Sequence, residues 1–413
     1  MPSILTNLAK VSAARDLIKS LNSTPHYLCI GGVQTWNSDP VPDSIVNTDY
    51  TISDIWRNSY AMKRIKTVDA CLVAPRYDWS TGTIYDQYSD SVDMFGKAFY
   101  VVTDTNDVFK CLYNNNNAQS TIKPTQSNTN TSDGYRWRWM YNISTVLYNK
   151  FATSAFIPVV DSPNSPIAGE ITRIDVTNAG SSYTYANVII EGDGVGAAAY
   201  ATYSGGHISS IVMTNSGSGY NYATVSVVGD GINATANVVL APNGGHAYSP
   251  ADELLAYYIM FSVDLEYDET GIFLTNNEYR KIFIVREPLT YDGSAVYVEN
   301  VAKTTTDVVL TSTSTFTQDQ EVQIWLNSTK VGTAVVAYND ITNNKLYLCN
   351  VTSPTLTLNH KIYDGFNQIS IVSNGLSNSN VKIYSGKVLY ALYNSPVFRN
   401  ITQSETIKIP ILW

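Results

Sequence analysis

A chain of 413 residues exceeds one ordinary core, so roughly two to four domains are expected. Only 15% of its residues are charged while 30 are tyrosine, a balance that suits short strands and polar turns better than helices, which draw on Ala, Leu, Glu and Lys. A net charge of −9 without any Lys/Arg cluster argues against nucleic acid as a partner, because sequence-independent binding needs several cations on phosphates.

Near the start, Leu5, Leu8, Val11, Leu17 and Leu21 fit a short amphipathic helix. Lys10, Arg15, Asp16 and Lys19 interrupt these apolar residues, so the stretch does not read as a signal peptide. No run reaches the roughly 18 apolar residues of a membrane span, and stable membrane insertion is not expected. Residues 25–90 read as strand, loop, short helix and strand, with Ser53 as N-cap of a helix running to Arg64. Residues 99–102 and 108–112 predict strands around a tight turn, and 114–131 a long exposed loop. Residues 135–143 return to an aromatic strand, with Trp137 and Trp139 on one face and Arg136 and Arg138 on the other.

An internal repeat follows. Ile174-Asp175-Val176-Thr177-Asn178 recurs 37 residues later as Ile211-Val212-Met213-Thr214-Asn215. Tyr183 and Tyr220, then Gly192-Asp193-Gly194 and Gly229-Asp230-Gly231, keep the same offset, as do Ala197 and Ala234. Each copy alternates like a strand between Gly-rich turns, and two copies fall short of the roughly three a solenoid needs. A two-unit β module inserted in a host domain is predicted, with 242–245 as its return hinge. Beyond it, 257–265 and 278–285 predict strands. Residues 291–363 alternate Val, Thr, Leu and Ser around a hairpin turn at 340–344, which fits a small barrel or sandwich. In the closing run Ile407, Ile409, Ile411 and Trp413 alternate with Lys408, Pro410 and Leu412. Such a strand lies at a sheet edge or has one unpaired position, since Pro410 has no N–H to donate.

No catalytic or metal constellation is legible. His26, His207, His246 and His360 are scattered, and none sits beside a cysteine or four residues from another histidine. Cys29, Cys71, Cys111 and Cys349 form no paired motif and are read as reduced, mostly buried thiols. Gly192-Asp193-Gly194-Val195-Gly196 lacks the lysine and following helix of a phosphate loop, and is read as a turn in which glycine supplies positive φ and the aspartate caps its own turn. The best enzymatic candidate is the acidic group Asp78, Asp86, Asp90 and Asp93 among Trp79, Tyr85 and Tyr88, since glycosidases use paired carboxylates beside aromatic platforms. No cofactor is expected.

Several segments in order carry a family resemblance. They are Cys29-Ile30-Gly31-Gly32 with Trp36, Ser53-Asp54-Ile55-Trp56, Pro75-Arg76-Tyr77-Asp78-Trp79 and Tyr85-Asp86-Gln87-Tyr88. Val108-Phe109-Lys110-Cys111-Leu112, Asp133-Gly134-Tyr135-Arg136-Trp137 and the stretch 365–413 complete the set. The chain resembles the gene-eight baseplate wedge proteins of T-even-type contractile-tailed phages over about half its length, with no counterpart for 167–245 or 291–363. The resemblance implies a structural, non-enzymatic virion protein of the tail baseplate, assembled in the bacterial cytoplasm. It implies a homodimer that contacts other wedge proteins, including the fibre-attachment component, and moves with them on contraction. The alternatives are a tail-associated polysaccharide depolymerase and a glycan- or receptor-binding tail protein.

The resulting expectation is a mainly β, multi-domain β-sandwich protein with inserted small β modules and a few short helices. Its parts are a discontinuous core (1–88, 246–290 and 364–413), a second β domain (89–166), the repeat module (167–245) and the small barrel or sandwich (291–363). Trp36, Trp79, Trp137, Tyr183 and Tyr220 are the interface candidates, because aromatic residues anchor interfaces.

Overall fold

The computed structural model describes residues 3–32, 35–161, 166–269, 271–352 and 355–412. The protein is mainly β, built from several sheets and barrel-like modules with four short α-helices among the described residues. In chain order come α1 (Asn7–Ser20), β1 (His26–Gly31), α2 (Asp49–Arg57), β2 (Ser59–Ile65) and β3 (Ala70–Pro75). Next are β4 (Tyr100–Val102), β5 (Asp107–Tyr113), β6 (Arg136–Asn142), α3 (Thr145–Phe151) and β7 (Phe156–Pro158). The repeats supply β8 (Ile171–Ser181), β9 (Ala186–Gly192), β10 (Val195–Ser204), β11 (His207–Ser218), β12 (Ala223–Gly229) and β13 (Ile232–Leu240). Then follow α4 (Pro250–Glu253), β14 (Tyr258–Leu265), β15 (Asn277–Arg286), β16 (Val301–Lys303), β17 (Thr306–Leu310) and β18 (Glu321–Leu326). The last six strands are β19 (Thr329–Asp340), β20 (Lys345–Cys349), β21 (His360–Tyr363), β22 (Gln368–Ser377), β23 (Lys387–Arg399) and β24 (Glu405–Leu412).

The chain forms two compact units, residues Met1–Asp16, Cys71–Met260 and Ile409–Trp413 in the first, and Leu17–Ala70 with Phe261–Lys408 in the second. This division differs from the expected one. Residues 71–88 and 246–260 fall with 89–245, because strands such as β3 pair with β7, and Lys110 on β5 pairs with Glu253 on α4.

In the first unit, β4, β5 and β6 make a three-stranded antiparallel sheet whose apolar face is filled by Tyr85, Val101, Phe109, Cys111, Tyr135 and Trp137. The loop after β5 is mostly exposed, as expected, and is pinned at points: Asn114 and Ser120 are buried, and Asp133 accepts backbone N–H groups from Thr121 and Ile122 at 2.7 and 2.9 Å.

The repeats form one six-stranded antiparallel sheet in the order β12-β9-β10-β11-β8-β13, and β13 returns beside β12 as β9 lies beside β10. The curled sheet has an approximate two-fold axis. Ile174 on β8 faces its own repeat-mate Ile211 on β11, and Ala186↔Gly229 on β9 and β12 mirrors Gly192↔Ala223. Ile171, Ile174, Tyr183, Ile208, Ile211 and Tyr220 form its buried cluster with small neighbours such as Ala197, Ala199, Ala234 and Ala236, and bulges in β8 and β11 bring the isoleucines three residues apart to one face.

The second unit contains a five-stranded sheet, β16-β2-β1-β15-β23, in which the central strand β1 is buried throughout. Trp56 of α2 packs on Phe283 at 5.2 Å within its core. The helix starts earlier than expected: Thr48, not Ser53, is the N-cap, accepting the Thr51 N–H at 3.2 Å. It also ends by Arg57, because the buried run of Tyr60, Ala61 and Met62 pairs with β1 as β2. Pro396 lies in β23, at the sheet edge, where a missing N–H is tolerated.

The same unit holds a closed barrel, β17-β20-β19-β18-β21-β22, around Val308, Leu310, Val322, Ile324, Leu346 and Leu348. Its limits shift from the expected 291–363. Residues 301–303 pair with β2 instead, and β22, placed in the core by sequence, is needed to close the ring between β17 and β21. Without it both neighbours would expose unpaired backbone.

In the closing strand β24, Ile407 and Ile409 are buried and Pro410 is exposed. Trp413, singled out in the sequence, lies outside the described residues. In α1, Val11 and Ala14 are buried, as is Leu21 just beyond it, whereas Leu5 and Leu8 remain exposed.

Candidate functional site

The first unit carries an open groove of about 730 Å³. One wall comes from the end of β5 and the start of β6, the other from the outer face of β8 and β11. On the first wall, Tyr113 closes β5 and is followed by Asn114-Asn115-Asn116-Asn117, three of which adopt positive φ (50°, 55° and 63° at Asn115, Asn116 and Asn117). Asparagine tolerates that region because its short amide can bond locally. Here the Asn115 amide donates to the Asp133 carbonyl at 3.0 Å, which brings Gly134 and Arg136 beside Tyr113.

Arg136 is half-buried, and its guanidinium lies 5.5 Å from the Tyr113 ring centroid. Among the described residues it donates one hydrogen bond, to the Thr172 carbonyl at 3.3 Å, and no carboxylate pairs with it. Burial, followed by the neighbouring Arg173 charge, draws its pKa below the usual arginine value.

Arg173 on the opposite wall is fully committed. It pairs with Asp175 at 2.8 Å and donates to the Tyr88 and Leu112 carbonyls at 2.5 and 3.0 Å, fixing β8 against the end of β5. Ser209 and Ser210 of β11 and the amides of Gln87, Asn116 and Asn130 complete a polar lining, with Val212 supplying an exposed apolar patch.

Beneath the sheet lies a buried ionic network. Lys110 on β5 pairs with the Glu253 carboxylate and sits 4.8 Å from the Tyr88 ring. His246 packs edge-on against Tyr88 at 5.2 Å, and its Nε2 shares a 2.7 Å hydrogen bond with the Thr172 hydroxyl. Desolvation, reinforced by Lys110, holds the His246 pKa well below its ordinary value, so the ring is neutral.

The five aromatic residues picked as interface anchors all make packing contacts within the chain. Trp36 is buried against Tyr393 at 5.0 Å and donates to the Asn394 carbonyl at 2.9 Å. Trp79 is half-buried and donates to the Ser120 hydroxyl at 3.1 Å, and Trp137 stacks on Tyr135 at 5.3 Å inside the three-stranded sheet. Tyr183 and Tyr220 are 3% and 7% exposed.

The two tyrosines explain the Gly-Asp-Gly pair. Gly194 and Gly231 lie under the Tyr220 and Tyr183 rings, where a Cβ would overlap the ring. Tyr220 accepts the Ala197 N–H at 3.4 Å, and Tyr183 accepts the Ala234 N–H at the same distance. Each aspartate caps the other repeat's turn rather than its own. Asp193 accepts the N–H groups of Asn221 and Tyr222, and Asp230 those of Thr184 and Tyr185, at 2.9 and 3.1 Å in both cases. Glycine provides space for a ring at Gly194 and Gly231, and the expected positive φ is found at Gly196 (82°).

The acidic candidates do not share a site. Asp78 pairs with Arg76 at 2.9 Å, while Asp86, Asp90 and Asp93 accept the backbone N–H groups of Ala98, Leu240 and Phe95 respectively. Among the described residues no three His, Cys, Asp or Glu side chains gather as metal ligands, and no helix is long and apolar enough to cross a membrane. Cys29, Cys111 and Cys349 are buried and Cys71 half-buried, all four as free thiols.

Sequence reasoning missed Tyr113, Arg136 and Arg173 as groove residues. The one available signal was the Arg/Trp alternation of β6, which puts Arg136 on the face away from the core. No protein-family model matches the sequence, and no curated protein matches it either.

Proposed function

We propose that the chain is a structural subunit of a contractile-tail baseplate wedge, a homodimer that joins neighbouring wedge proteins and the fibre-attachment component and moves with them on contraction. The ordered series of resembling segments carries the reading, and their placement supports it. Cys29 to Gly32, Ser53 to Trp56 and Val108 to Leu112 lie in or beside β1, α2 and β5, which belong to the two units' frame. Residues 167–245, outside the resemblance, contain the repeat sheet with its own core. Rigid β modules linked by changeable contacts suit a part that must shift as a body. A depolymerase has less support, since each candidate carboxylate is committed to a different backbone or cationic partner.

Counting copies in a reconstruction of the tail tests the reading. Two copies per wedge, and about twice the 45.5 kDa chain mass in light scattering of the isolated protein, are expected. A chain absent from tails, or monomeric and present once per wedge, overturns it.

A further inference from the structure

We infer that the groove between β5/β6 and β8/β11 binds a carboxylated saccharide, with Arg136 gripping the carboxylate. The inference does not rest on the wedge reading. Arg136 is the groove's one guanidinium without a carboxylate partner among the described residues, and the Tyr113 ring steadies it. A planar fork held this way matches a carboxylate in two parallel hydrogen bonds. Around it stand short neutral donors and acceptors, Gln87, Asn116, Asn130, Ser209 and Ser210, the groups that meet sugar hydroxyls, while Val212 offers an apolar surface for ring C–H groups. A volume of about 730 Å³ falls within the range of small-ligand sites, roughly 300–1,000 Å³.

Two other ligand classes fit less well. An extended peptide gains affinity by adding a strand to a free sheet edge, but β8 and β11 are interior strands with neighbours on both sides. Nucleic acid needs several free cations, whereas Arg173 is already neutralised by Asp175 and the chain carries a net charge of −9.

The test titrates the full chain calorimetrically with oligosaccharides of glucuronate, galacturonate or sialate, alongside their carboxyl-reduced counterparts, hexaglutamate and sulfate. At least one acidic oligosaccharide is expected to bind, its carboxyl-reduced form about tenfold or more weakly. Arg136→Gln is expected to weaken binding about 10- to 100-fold, the loss of a charge-assisted pair. Ser209→Trp, which fills the groove from the opposite wall and leaves Arg136 intact, should abolish binding even if the arginine variant fails to fold. The inference is overturned if no acidic oligosaccharide binds, if hexaglutamate or sulfate competes equally well, or if both variants bind like the parent. Copy number in tails does not depend on Arg136, so the two readings fail separately.

Discussion

The repeat sheet and the closed barrel both arrange six antiparallel strands around an interior, yet they are held in different ways. The barrel is filled by large aliphatic side chains, with Val322, Ile324, Leu346, Leu348 and Ile362 wholly buried. Alanines and half-buried valines line much of the repeat sheet, and it adds paired tyrosine and aspartate clasps at its turns. Where a module lacks a thick core, polar groups at defined turns take a larger share of its specification.

The largest effect should come from the barrel interior. Ile324→Ala is expected to destabilise the barrel by about 2–5 kcal/mol, through lost burial and the cavity left behind. Val225→Ala in the repeat sheet, at a half-buried position, should cost about 1 kcal/mol or less. Amide hydrogen exchange in each module measures the two separately, and equal costs would break the contrast between the interiors.

Next in size are Gly194→Ala and Gly231→Ala. Each methyl must displace a tyrosine ring at about 1–3 kcal/mol. Because the sites are symmetry mates, denaturant titration should give matching losses, and a clear inequality would show that the approximate axis does not extend to energetics.

Titration sharpens the comparison further, since the two modules carry aspartates shifted in opposite directions. Asp319, near the barrel, is raised to about 6 by burial and then by Glu278, and one of its carboxylate oxygens is buried without a partner. Its unfolded value is about 3.9, so the folded state holds the proton longer and stability falls as pH rises from about 4 to about 6. Asp319→Asn should therefore stabilise the protein at pH 7.5, on the order of 1 kcal/mol after allowing for solvent screening of a partly exposed group, with the gain gone below about pH 4.

Asp230 has the opposite sign. Hydrogen bonds from the Thr184 hydroxyl and from the Thr184 and Tyr185 N–H groups hold it down to about 2. Its contribution is complete above an unfolded value of about 3.9 and is lost as pH falls through about 2. Asp193 is lowered for the matching reason, by the Asn221 side chain first. Asp230→Asn and Asp193→Asn should each flatten the acid limb of a melting-temperature profile, the smallest effect of the series. A limb unchanged in both variants would remove the clasps from the account.

The repeat was legible because a 37-residue offset and strict alternation are properties of the chain itself. So were β5, β15 and the hairpin at 340–344, where local pattern and tertiary pairing agree. The start of α2 was missed because Thr48 and Ser53 are both competent caps, and the choice falls to the strand pairing of residues 59–65. The depth at which Tyr183 and Tyr220 are buried was not legible, because it depends on glycines in the other repeat. Half of the groove was invisible for a similar reason. Arg136 and Ser209 are far apart in the chain, and only the docking of β8 against the end of β5 brings their walls together.

The exchange of caps between the repeats has an evolutionary consequence. Each 37-residue copy leaves its own turn incomplete and completes its neighbour's, so a lone copy is half of a fold that two copies assemble. A free-standing ancestor of this length would have been an obligate dimer, and tandem gene fusion would have converted that association into one chain. Expressed alone, residues 167–205 should remain unfolded when dilute and acquire strand structure as concentration rises.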